Sequence, residues 1–147
     1  MSDEVREKKH YRDVREIERL VAGFESCAVP PAEFDHRAHL TVALWYVSQS
    51  PDEAAAADRM RAGLHRYTKH NNAEAVYNET VTLFWLKLVR HFLDNADAER
   101  SLAEHTYNLC ETYADSKLVF EYYSREIVQT PEAKRSWVEP DLKPLDF

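Results

Sequence analysis

The chain has 147 residues, a formal net charge of −7 and only 2 glycines and 2 cysteines. That length suits one ordinary domain that buries its core without covalent staples, and it is too short for a two-domain dinucleotide enzyme. Two glycines disfavour designs that need many left-handed turns, such as hairpin-rich sheets, barrels and glycine-cradled phosphate loops, so an all-α domain is expected.

Residues 1–10 are polar and expected to be flexible. Val14, Ile17, Leu20, Val21 and Phe24 recur at helical spacing and predict a first helix over 11–26 with one inward face. Pro30 and Pro31 interrupt it. A second helix is predicted over 33–49. Its segment 39–47, HLTVALWYV, is apolar in every direction and reads as central, or as covered by a partner chain. Ser50-Pro51-Asp52-Glu53 reads as a restart, with Ser50 as N-cap, Pro51 in the first turn and Glu53 completing a capping box.

The third helix, 51–69, turns Ala57, Met60, Leu64 and Tyr67 inward. Gly63 within it costs about 1 kcal/mol against Ala and reads either as a close helix approach or as a tolerated glycine. After a loop at 70–74, a fourth helix over 77–93 carries the apolar run 80–89 and is the natural partner of the second. Asp97 is expected to cap a fifth helix over 98–112. Asp115 or Ser116 opens a sixth element over 117–127, and Thr130-Pro131 starts a short piece to 137. Pro140 and Pro144 make 138–147 an extended tail laid on the surface. The expected fold is a single all-α domain over 1–147, a five- to six-helix orthogonal or irregular bundle with an extended proline-containing C-terminal tail.

The sharpest chemical feature is Asp35-His36-Arg37-Ala38-His39. His36 and His39 are three apart and share a helix face that continues through Ala43 and Tyr46. Imidazole is the commonest metal ligand and titrates near neutrality. Glu79 and Asn78, at the start of the other apolar helix, are the best further donors, with His65 and His70 next. Two histidines and one carboxylate (His36, His39, Glu79) with open positions would suit zinc or non-haem iron. The same three are the candidate catalytic groups, and Asn78, Tyr46 and Tyr77 are further pocket residues. A di-iron set fails by counting: Glu33-x-x-His36 occurs, but the residues three before His65, His70, His91 and His105 are Ala62, Tyr67, Leu88 and Leu102. Buried histidines also serve as hydrogen-bonding ties, and the pair can be read as structural. Cys27 and Cys110 belong to no CxxC motif and suggest neither a disulfide framework nor a nucleophile.

Phe34-Asp35-His36-Arg37-Ala38-His39-Leu40, followed by Tyr77-Asn78-Glu79-Thr80-Val81-Thr82 and Trp85, resembles a family of small all-helical bacterial proteins of unassigned function. Tyr122-Tyr123-Ser124, Ala133-Lys134 and Trp137 to Leu142 fit the same pattern, so the resemblance spans about residues 33–145. Members often carry His where this chain has Asn78, which implies a three-histidine arrangement there. Asn78 weakens it here, because a neutral amide is a poor metal ligand.

These features point to a small cytoplasmic helical protein with a His/Glu polar pocket for a metal or small molecule. Metal-assisted or histidine general-base chemistry is the expectation if it is an enzyme. The alternative is a non-enzymatic homodimeric binding or assembly module in which the histidines are structural. No nucleic-acid partner is expected, since the net charge of −7 outweighs the basic cluster of Arg59, Arg61, Arg66 and Lys69. No membrane span is expected either, as no run approaches about 18 apolar residues.

Overall fold

The computed structural model describes residues 11–147; residues 1–10, expected to be flexible, lie outside the described residues. Five longer helices follow in order: α1 (Val14–Glu25), α2 (His36–Gln49), α3 (Glu53–His70), α4 (Glu79–Asp94) and α5 (Leu102–Thr112). Two short ones, α6 (Arg125–Val128) and α7 (Pro131–Arg135), close the sequence, and the described residues contain no strand.

Each helix begins where a short polar side chain replaces the missing acceptor for its first amides. Asp13 accepts from Arg15 and Glu16, Asp35 from Ala38, Asp52 from Ala55, Asn78 from Val81, and Ser101 from Glu104. These caps shift three expected boundaries. Ser50 is extended and ends α2, while Asp52, two residues on, takes the cap of α3. Asp97 instead folds a turn, its carboxylate accepting from Glu99 and its carbonyl from His105, so α5 waits for Ser101. The single element expected over 117–127 is split into a 3-10 stretch, Ser116–Glu121, and α6, which restarts at Ser124.

Helix α2 is the centre. Eight of its residues, among them Leu40, Val42, Leu44 and Val47, are buried, and it packs on α1, α3, α4 and α5. That is what an apolar-all-round sequence requires. Its most extensive partner is α4, the pairing that the two apolar runs suggest. Gly63 marks a close approach: a Cβ there would lie 2.5 Å from Phe24 Cε2. The fully buried Phe24 ring is itself stacked on Phe34 at 4.8 Å.

A second cluster forms on another side of α4, where Phe84 meets Val119, Tyr122, Tyr123 and Val128. The tail after Arg135 is irregular and lies across this cluster. Tyr123 donates to the Val138 carbonyl at 2.6 Å, the Leu142 amide donates to Tyr122, and the Phe147 ring packs on Phe84. Thr80, in the first turn of α4, anchors the same segment: its hydroxyl donates to the Ser136 carbonyl and accepts from the Val138 amide. Cys27 and Cys110 are free thiols, and no helix among the described residues is long and apolar enough to cross a membrane.

Candidate functional site

A cavity of about 450 Å³ opens where the N-terminal turn of α2 meets the C-terminal half of α3 and the start of α4. Helix α2 contributes His36, His39, Leu40 and Ala43, and α3 contributes Met60, Leu64 and Thr68. Tyr77, Asn78, Val81, Thr82 and Trp85 come from the approach to α4 and its first turns. The volume falls within the roughly 300–1,000 Å³ of small-molecule sites, and a largely apolar wall with few polar groups is typical of them.

Asp35 caps α2, which places His36 in its first turn and His39 one turn on, both half-buried. His36 Nε2 lies 2.8 Å from the Tyr113 carbonyl, and His39 Nδ1 lies 2.8 Å from the Asp35 carbonyl. A carbonyl oxygen only accepts, so each of these nitrogens carries its proton. In the neutral ring, His36 Nδ1 and His39 Nε2 are then left as bare lone pairs. Each ring is also held by an aromatic neighbour: His36 stands edge-on to Trp85 at 4.8 Å, and His39 packs on Phe34 at 4.0 Å. Burial holds the His39 pKa below its ordinary value, against the Asp35 carbonyl bond, which favours the protonated ring.

Glu79 does not line the cavity. It is only 7% exposed, and Arg61 grips it through Nε at 2.9 Å from Oε1 and Nη2 at 2.5 Å from Oε2. The Tyr77 hydroxyl donates to the same carboxylate at 2.5 Å. Burial alone would push the Glu79 carboxyl up. The hydrogen bonds from Arg61 and Tyr77, with the Arg61 charge, outweigh it and hold the pKa below the ordinary glutamate value. Burial and the Glu79 bond together push the Tyr77 phenol well above its usual range.

The structure therefore brings together His36, His39, Tyr77 and Asn78 of the expected site, and it commits the Glu79 carboxylate to Arg61. Among the described residues, no group of three or more His, Cys, Asp or Glu side chains is placed to hold a metal ion. Asn78 lines the cavity while its amide works elsewhere, capping Val81 through Oδ1 and donating through Nδ2 to the Val128 carbonyl. Tyr46 does not line the cavity. It is 1% exposed, donates to Glu25 and lies under the Arg59 guanidinium. His65 packs on the outer side of the cluster, against the Tyr77 ring at 4.3 Å.

Three participants escaped the sequence: Arg61 as the counter-ion of Glu79, the Tyr113 carbonyl that orients His36, and Phe34 as the ring beneath His39. Arg61 and the Tyr113 carbonyl meet their partners through tertiary contact across separate helices and leave no local pattern. Phe34 lay within the FDHRAHL stretch, where an aromatic five residues before a histidine carries no spacing signal. Compared with protein families, curated proteins and solved structures, the chain matches none of them.

Proposed function

We propose that this protein binds a small organic molecule in the cavity between α2, α3 and α4, with His39 as the principal hydrogen-bond acceptor and His36 beside it. One observation carries the reading: two imidazoles on one wall are each fixed through one nitrogen to a backbone carbonyl, so in the neutral ring the other nitrogen is the acceptor. Anchoring of this kind sets tautomer and ring plane before a ligand arrives, which lowers the cost of binding. The depressed His39 pKa supports the same role, because the ring stays neutral and able to accept a proton at neutral pH. The same group is the general base if the bound molecule reacts. The resemblance of the FDHRAHL and YNETVT segments to small helical bacterial proteins of unassigned function falls on residues of the same wall.

The test is ligand-observed magnetic resonance with an apolar fragment library on the full chain. Fragments should bind the wild-type protein and lose binding to Val81→Trp, which fills the cavity from α4. Absence of binding by any fragment, or binding undiminished in the folded Val81→Trp variant, refutes the reading.

A further inference from the structure

Most of the polar protons of the cavity wall are already assigned. His36 gives its ring proton to the Tyr113 carbonyl and His39 to the Asp35 carbonyl. Tyr77 gives its hydroxyl proton to Glu79, and Thr82 gives its own to the Asn78 carbonyl. The Thr68 hydroxyl donates to the His65 carbonyl, and Asn78 spends one amide hydrogen on Val128. What the two imidazoles and these hydroxyls offer a guest is therefore lone pairs, while the Trp85 indole N–H and the Ser116 hydroxyl are the donors among the lining residues.

Charge narrows the choice further. No Lys or Arg lines the cavity, and its one carboxylate, Asp35, uses an oxygen to cap Ala38. An anion would enter a largely apolar wall with a carboxylate nearby and no Lys or Arg to pair with, which is unfavourable. A cation fares little better, since the positive ends of two helices, α2 and α4, converge on the same space. The caps Asp35 and Asn78 already take the Ala38 and Val81 amides, which leaves fewer first-turn amides to hold an anion. The rings of Phe34, Tyr77 and Trp85 favour a flat aromatic guest.

We infer that the cavity selects an uncharged aromatic molecule bearing a hydroxyl or N–H donor, which it binds by donation to the free nitrogen of His39, and that it rejects carboxylates and phosphates. The inference rests on the small-molecule reading above and adds the chemical class of the ligand.

The experiment titrates the full chain with phenol, anisole, toluene, benzoate and benzylammonium, following the imidazole nitrogens of His36 and His39 in isotope-labelled protein. Phenol should shift the His39 signal and bind at least about tenfold more tightly than benzoate or benzylammonium, and several-fold more tightly than toluene. Anisole keeps the size of phenol but lacks its proton, so it should behave like toluene. In a folded His39→Phe variant the advantage of phenol over toluene should vanish while both still bind. Benzoate or benzylammonium binding as tightly as phenol overturns the ligand class and leaves the small-molecule reading standing, as does anisole matching phenol in the wild type. If none of the five probes moves the cavity signals, the small-molecule reading and this inference fall together.

Discussion

His36 donates through Nε2 to the Tyr113 carbonyl at 2.8 Å, joining the first turn of α2 to the residue that closes α5, 77 positions away. Carbonyls at a helix C-terminus lack intrahelical partners, so this one bond both satisfies α5 and orients the imidazole. Replacing His36 by Phe keeps an aromatic ring beside Trp85 and leaves the carbonyl without its donor. Stability should fall by about 1–3 kcal/mol, measured by urea denaturation. Unchanged stability would show that the tie contributes nothing.

Glu79 and Arg61 are expected to be strongly coupled. Glu79→Gln should destabilise the fold by about 2 kcal/mol, since Arg61 is partly exposed and solvent softens the loss of a buried partner. The double variant with Arg61→Met should cost less than the two single changes added together. Acid adds a second check. The folded Glu79 pKa lies below its ordinary value of 4.5, so its contribution is fully present above that value and disappears as pH falls through the lower folded one. The pH dependence of urea midpoints below 4.5 should flatten in Glu79→Gln.

His39 contributes with the same sign over a different range. Its folded pKa is depressed from 6.5, so the unfolded ring takes up a proton near that value while the folded ring stays neutral. Stability should therefore be highest above about 6.5 and decline as pH falls from there to the lower folded value. Imidazole titration by magnetic resonance should place His39 below that ordinary value. A His39 that titrates at or above it would remove the basis for a neutral acceptor at physiological pH.

Gly63→Ala should destabilise the protein by about 1–3 kcal/mol, despite the better helix propensity of alanine. The added methyl would meet the Phe24 ring, which is fully buried against Phe34 and Tyr67 and has little room to retreat. Phe24→Leu should relieve part of that clash when the two are combined, as thermal denaturation of the three variants would show. A stabilising Gly63→Ala would mean that the ring yields at no cost.

Periodicity made the helices legible. The α2 and α4 runs lack a polar side, and a helix of that kind has to sit at the centre. The start of α3 was less so, because Ser50 and Asp52 lie two residues apart and only backbone geometry decides which hydroxyl or carboxylate reaches an amide. In the site, the three-residue spacing of His36 and His39 placed them on one wall. The position of Glu79 was foreseen, but its direction was not. A glutamate in a first turn can face either neighbour, and Arg61, eighteen residues away on α3, settles it. Tyr46 shared the face of the histidines by counting alone. Two further turns along α2 bring it to Glu25 and the Arg59 side instead.

The hydroxyl of Thr80 holds Ser136 and Val138 from the same turn of α4 whose neighbours Asn78, Val81 and Thr82 face the cavity. The irregular tail and the cavity wall thus share one turn of α4 as a point of attachment. Peeling the last dozen residues away would unseat that turn, so amide exchange of Val138 and of the α4 N-terminal turn should rise and fall as one event. A change that loosens the tail at Val138 is therefore expected to loosen the α4 turn that borders the cavity.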